Sequence, residues 1–355
     1  MTVLNEYSKS DILNILSHFK DLQPDFTAHA RELQQEHFGN GVFIRGLIEV
    51  SSFCRCDCFY CGIRKSNSQA QRYRLTDEQI LACCKRGHET GFRTFVLQGG
   101  EDLQFSAQGL ADLISKIKNQ FPDCAVTLSL GERDYETYKL WRQAGADRYL
   151  LRHEAADSRL YEKLHPAAQS LENRKECLFN LKDLGFQVGS GFMVGAPFQT
   201  IQDLAQDIMF LQELKPHMIG IGPFVPHKAT PFANEPAGNV ELTLFLISLL
   251  RVIFPNALIP ATTALNTLSK TGRIDGIRAG ANVVMPNLSP EENRKKYDLY
   301  EGKSKGGIET ADGLKSLMHE MENINYKILL NERGDYRSKY ELQCNIKQSR
   351  GLYQR

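Results

Sequence analysis

The stretch GLIEVSSFCRCDCFYCG, residues 46–62, carries the reading of the fold. Its first part, GLIEVSS (46–52), is a short, β-branched and mostly apolar run, the pattern of a buried strand. The run passes directly into Cys54, Cys56, Cys58 and Cys61, four thiols within eight residues. Seven further runs of the same kind follow: TFVLQGG (94–100), AVTLSLG (125–131), RYLLRHE (148–154), GSGFMVG (189–195), MIGIGPF (218–224), LIPATTA (258–264) and ANVVMPN (281–287). Between them stand amphipathic stretches such as DEQILACC (77–84), GLADLISKI (109–117) and ELTLFLISLL (241–250). Strand and helix in alternation mean a parallel sheet. Eight strands can close on themselves, so the expected fold is α/β, a (β/α)8 TIM-type barrel. An open doubly wound sheet is the structural alternative.

The flanks read differently. Residues 1–41 form an expected N-terminal helical extension, interrupted at Pro24-Asp25, with its second helix reaching about His37. The barrel is expected over 42–300. Residues 301–355 read as a C-terminal helix (313–330) and a polar tail.

Composition narrows the function classes. Of 355 residues, 42% are hydrophobic and 24% charged, as in ordinary globular chains. Lys+Arg is 43 and Asp+Glu is 42, so neither nucleic acid nor an anionic membrane is an expected partner. No apolar run is long enough for a spanning helix. The start, MTVLNEYSKSDILNIL, has no cleavable apolar core, and the expected location is cytoplasmic. In that reducing compartment a tight cysteine cluster reads as metal binding or redox chemistry rather than disulfides.

In parallel α/β sheets ligands bind at the carboxyl ends of the strands. Several runs here end in polar residues or glycine: Ser51-Ser52, Gln98-Gly99-Gly100-Glu101, Arg152-His153-Glu154 and Thr262-Thr263. The cysteines follow the first strand on the same side. Three thiolates spaced Cys54-x3-Cys58-x2-Cys61 can hold three irons of a cubane cluster and leave the fourth iron open. A zinc site with Cys56 as a fourth thiolate is the alternative.

The segment CRCDCFYC (54–61) contains the CxxxCxΦC signature of radical S-adenosylmethionine (SAM) enzymes, with Tyr60 as Φ. Within that superfamily the chain resembles the HydE family of [FeFe]-hydrogenase maturases. The resemblance rests on CGIRKSN (61–67), RYRLT (72–76), VLQGGED (96–102), GADRYLLRHE (145–154), LENR (171–174), GIGPFVPH (220–227), IPATTA (259–264) and GANVVMPN (280–287), and spans roughly residues 42–300.

The resemblance implies one [4Fe-4S] cluster on Cys54, Cys58 and Cys61, and reductive cleavage of SAM to a 5′-deoxyadenosyl radical. It implies that Tyr60, Gly99, Gly100, Glu101, Arg152, Glu154 and Arg174 face SAM. The alternative for Arg174 is a surface salt bridge. Gln98, His153, Thr262, Thr263, Met285, Tyr297 and Tyr300 are the implied substrate-side residues. The alternatives are a satisfied core histidine for His153 and a helix face packed on the core for the two tyrosines. The implied substrate is an iron–cysteine complex carrying CO and cyanide, supplied by the partner maturase HydG. HydF is a further partner, and ferredoxin or flavodoxin the reductant.

Two departures from the family pattern are visible: Cys56, where a non-cysteine is usual, and the lack of a CxxxCxxC motif within 301–320. Two other functions stay open. One is a HydE-like paralogue or a methylornithine-synthase-like mutase acting on an organic amino acid. The other is a non-catalytic Fe–S carrier or scaffold, which would not need Glu154 and Arg174. The remaining cysteines, Cys83, Cys84, Cys124, Cys177 and Cys344, read as small hydrophobes.

Overall fold

The computed structural model describes residues 6–303 and 313–336. Six parallel strands pair in chain order: Gly46–Ser51, Thr94–Gly99, Ala125–Ser129, Arg148–Leu150, Gln187–Ser190 and Met218–Ile219. Parallel bridges continue the ring through Met218↔Leu258 and Pro260↔Val283, and Leu47↔Asn287 closes it. At the closure Leu47 N donates to Pro286 O (2.9 Å) and Leu288 N to Leu47 O (2.7 Å). Each of the eight runs therefore occupies its own place in a closed (β/α)8 barrel, and the open sheet is excluded.

Outer helices follow the first six strands because those strand-to-helix turns end in a side-chain cap. Thr76 and Thr200 form capping boxes at the helices Asp77–Glu89 and Ile201–Leu214. Ser106, Ser170 and Asn239 cap Ala107–Gln120, Leu171–Asp183 and Val240–Ile253. Leu110, Leu113, Ile114 and Ile117 show the helical apolar spacing and are all buried.

The flanks correct the sequence reading in three places. Pro24 does not break the helix, which runs Phe19–Phe38; the break is at His18. A proline near a helix start removes one backbone bond. Packing of Phe19 and Phe26 on Phe245, at ring distances of 5.8 and 5.4 Å, holds the helix regardless. Next, the C-terminal helix covers only Leu314–Glu322. Asn325 turns the chain at φ 63°, and Lys327–Leu329 forms a strand parallel to Gly41–Ile44, which pairs in turn with Val283–Val284. Finally, residues 331–336 are no free tail. Arg333 and Asp335 pair with Asp147 and Arg148 at the barrel floor, 2.8 and 2.6 Å apart. Residues 304–312 and 337–355, with Cys344, lie outside the described residues.

Candidate active site

The four loop cysteines line a cavity of about 380 Å³ at the carboxyl ends of the strands, and all four are free thiols. Their loop is tied down from several directions. Arg55 N donates to Glu101 O (2.9 Å), Phe59 N to Leu164 O (2.9 Å) and Gly62 N to Leu299 O (2.8 Å). Asp57 takes a two-pronged bond from Arg64, at 2.8 and 2.6 Å. Arg72 donates to the carbonyls of Ser52, Ile63 and Arg64. An arginine fork suits this task because it satisfies several loop carbonyls at once. Gly100 explains the GGE turn: a Cβ there would meet Phe53 O at 2.2 Å and Cys54 Cβ at 2.7 Å. Only glycine lets the second strand's turn pass so close under the cysteine loop.

Burial disfavours thiolates on this loop in the absence of a metal. It pushes the Cys58 thiol up to about 12 and Cys61 well above its ordinary value. A hydrogen bond from the Cys56 thiol brings Cys54 down to about 7, while the pKa of Cys56 moves up. A metal that takes the thiolates removes that penalty.

Next to the loop stands a group of charged side chains. Arg174 is buried in the first turns of its helix, so the surface salt-bridge alternative fails. Its Nε contacts Glu132 Oε1 and its Nη1 donates to Arg152 O at 2.9 Å. Burial alone would raise the Glu101 carboxyl. Arg174, the Glu132 amide and Arg55 outweigh burial and hold it below its ordinary value. Both Glu101 oxygens are engaged, Oε2 by Arg55 Nε and Oε1 by Glu132 N, each at 2.8 Å. Arg152 pairs with Glu154 at 3.1 Å. Glu154 itself sits at φ 64°, a left-handed backbone that a non-glycine residue adopts at a cost of about 1–3 kcal/mol. Tyr60 is fastened by its hydroxyl to His165 Nε2, 3.0 Å away.

The cavity brings together every residue singled out from the sequence except one. Gln98, Gly99, Gly100, Glu101, Arg152, Glu154, Arg174, Thr262, Thr263, Met285, Tyr297 and Tyr300 line it with Tyr60 and the cysteines. His153 does not. It points into the wall, with Nδ1 2.9 Å from Ser190 Oγ, Nε2 3.3 Å from Asp207, and its ring between Phe192 and Phe210. Burial lowers its pKa to about 3 and keeps it neutral. The strand ends at Leu150, and in the segment that continues it Arg152 and Glu154 line the cavity while His153 faces the wall. Cys83, Cys84, Cys124 and Cys177 are buried away from the cavity.

Three charged residues were not marked in the sequence. Glu132 directly follows the third strand's run, and the strand-end rule that marked Glu101 and Glu154 also reaches it. Glu49 and Lys303 have no such local signal. Glu49 sits mid-strand and is fully buried, yet its carboxylate pairs with Lys303, which lines the cavity.

The residues fit an iron–sulfur cluster and a polar, zwitterionic ligand. Four thiols from one loop, the three of the motif among them, face one space beside a buried arginine. Among the described residues, Arg152 Nε and Thr262 Oγ1 are buried without a hydrogen-bond partner. Orphaned polar groups at a cavity wall call for a ligand or water.

Comparison with known proteins agrees. Residues 48–211 match the Radical SAM superfamily model. The closed barrel with its cysteine loop at the strand ends thus defines a radical SAM enzyme, a class that works with a [4Fe-4S] cluster and SAM. Over 274 residues the chain is 47% identical to the [FeFe] hydrogenase maturase subunit HydE of Thermotoga maritima, covering 77% of this chain and 78% of that one. The chain belongs to the HydE family of radical SAM proteins. It is also 30% identical to the 3-methylornithine synthase of Methanosarcina acetivorans over 76% of this chain and 77% of that one. The crystal structure of methylornithine synthase (PylB) superposes with a TM-score of 0.77 at 26% identity, covering 93% of this chain and 96% of that one. Among the described residues no helix is long and apolar enough to cross a membrane.

Proposed function

We propose that this chain serves [FeFe]-hydrogenase maturation, acting on an iron–cysteine complex that carries CO and cyanide. The observation that carries the reading is the 47% identity to HydE over three quarters of the chain. Cys54, Cys58 and Cys61 hold the single [4Fe-4S] cluster. When bound, that cluster supplies the electron that splits SAM into methionine and the 5′-deoxyadenosyl radical.

The protein's own side chains do the rest. Arg174, oriented by Glu132, receives the SAM carboxylate as a charge-assisted fork. Glu154 and Tyr60 hold the remainder of SAM, and Gly99, Gly100 and Glu101 shape the turn beside it. Gln98, Thr262, Thr263, Met285, Tyr297 and Tyr300 form the substrate side. The closed barrel keeps water from the radical until the substrate meets it. Ferredoxin or flavodoxin supplies electrons in the cytoplasm, HydG supplies the substrate and HydF takes part downstream.

A second reading, a mutase acting on an organic amino acid, draws on the 30% identity to 3-methylornithine synthase. A carrier or scaffold has no use for a buried Arg174 facing a cavity at the strand ends. Anaerobic in vitro maturation of apo-hydrogenase, with and without this protein, tests the proposal. Hydrogenase activity that depends on the protein and on SAM supports it. Activation that is equal without it, combined with turnover of a free amino acid, favours the mutase.

A further inference from the structure

One charged pair at the cavity lies outside the set of residues assigned to SAM. Glu49 lies on the first barrel strand in register with Gln98, which lines the cavity, so both project from the same face of the sheet. Its side chain is fully buried, and its Oε1 is engaged by Lys303 Nζ. Lys303 arrives from beyond the last strand; its side chain is only 11% exposed, and its Nζ stands 4.8 Å from the centre of the Tyr297 ring. A lysine ammonium has three donors. Among the described residues Glu49 is the sole hydrogen-bond or ion-pair partner of this one. Glu49 Oε2, also buried, has no hydrogen-bond partner among them. A cation with spare donors thus stands beside a carboxylate oxygen with a spare acceptor, at the wall of a reaction cavity.

We infer that Lys303, held in place by Glu49, binds the carboxylate of an amino-acid moiety in the substrate. The inference rests on the reading that the substrate carries such a moiety, common to the iron–cysteine complex and to a free amino acid. Three physical points carry it. A desolvated ion pair is costly to build, and a hydrophobic pair would fill the same volume at less expense. A lone anion meets a pair that is neutral overall. The cavity reaches only the cation of that pair, however: Lys303 lines it, while Glu49 is fully buried behind it and lines no part of it, so a carboxylate in the cavity meets the ammonium alone. Arg174 and Arg152 sit with the charges beside the cysteine loop, paired to Glu132 and Glu154, whereas Lys303 comes from beyond the last strand beside Tyr297.

The test uses the full chain, reconstituted with its cluster and saturated with SAM, in anaerobic calorimetry with two probes. L-cysteine carries the carboxylate and cysteamine lacks it. We expect the wild type to prefer L-cysteine. Lys303→Met should weaken L-cysteine about tenfold or more, as expected for a lost charge-assisted bond, and leave cysteamine within about twofold. Lys303→Arg should retain L-cysteine binding within a few-fold. Because Lys303→Met leaves Glu49 buried without its cation, the double variant Glu49→Gln/Lys303→Met keeps the wall neutral and should show the same selective loss with a wild-type Tm. Equal affinity for the two probes in the wild type, unchanged L-cysteine affinity in the double variant, or an equal fall for both probes would each overturn the inference. So would a loss of L-cysteine in Arg152→Met with Lys303→Met unaffected. Hydrogenase maturation is read separately. A wild type that binds L-cysteine through Lys303 but activates no hydrogenase sinks the maturase reading and leaves this one standing.

Discussion

Arg174 and Glu132 are joined side chain to side chain at the cavity wall, Glu132 from just past the third strand's run and Arg174 from the helix Leu171–Asp183 that follows the fourth strand. Asn173 Nδ2 binds the second Glu132 oxygen at 2.6 Å, so the carboxylate is held at both ends. The guanidinium is therefore oriented before any ligand arrives, which lowers the entropy lost on binding.

Arg174→Ala should cost SAM binding on the order of 1.5–3 kcal/mol, the worth of a hydrogen bond to a charged group. Glu132→Gln should weaken SAM by a smaller amount, through Arg174 alone. The double variant should then be no worse than Arg174→Ala, a non-additivity that marks coupled residues. SAM titration against the EPR signal of the reduced cluster measures all three. Additive losses would mean that Glu132 contacts SAM itself.

Cys56 lines the same cavity as the three motif cysteines. Because three thiolates suffice for an open cubane, Cys56→Ala should retain about four irons per chain, whereas Cys58→Ala should lose them. Iron analysis and Mössbauer spectra of reconstituted protein check this. Equal loss in the two variants would sink the three-ligand assignment. A [2Fe-2S] component that survives removal of Cys54, Cys58 and Cys61 would point instead to a second cluster.

Gly100→Ala places a methyl 2.2 Å from the Phe53 carbonyl oxygen, so the cysteine loop must shift. Overpacking of this kind costs about 1–3 kcal/mol. Iron incorporation should fall together with thermal stability. A variant that loses stability yet takes up iron normally would show that the loop position is not what limits cluster assembly.

His165 gives the fold an acid-sensitive joint. Burial lowers its pKa from 6.5 to about 3, its Nδ1 donates to Tyr161 O at 2.9 Å, and its Nε2 accepts from Tyr60. In the unfolded chain the same imidazole protonates near 6.5. The neutral ring's contribution is therefore complete above that pH and is lost as the pH falls from 6.5 toward 3. The slope from this group approaches about 1.4 kcal/mol per pH unit within the window. Urea unfolding of wild type and His165→Gln between pH 4 and 7 should give a shallower pH dependence in the variant. Parallel curves would assign the acid sensitivity to other groups.

The barrel and its cysteine loop were legible in the sequence because both are local. GLIEVSS and its seven counterparts are strands whose apolar pattern is written within a few residues, and the first six are followed by a capping residue that starts the next helix. The motif cysteines, Gly99-Gly100-Glu101 and Arg152-x-Glu154 sit at strand ends, and the barrel rule carries strand ends to a common face. What the sequence could not hold are contacts between distant segments and the choice of side for a single residue. Glu132 meets Arg174 across 42 residues and Glu49 meets Lys303 across 254. No local pattern marks either pair, because strand register and the return of the last loop decide both. The same holds for His153, turned outward to Ser190 and Asp207 between two inward-facing charges, and for Lys327–Leu329, whose pairing with Gly41–Ile44 exists only once the barrel floor has formed. Apolar periodicity sets local structure, but a charged side chain gains from its partner only where folding has removed the water between them, and that removal is decided by tertiary structure.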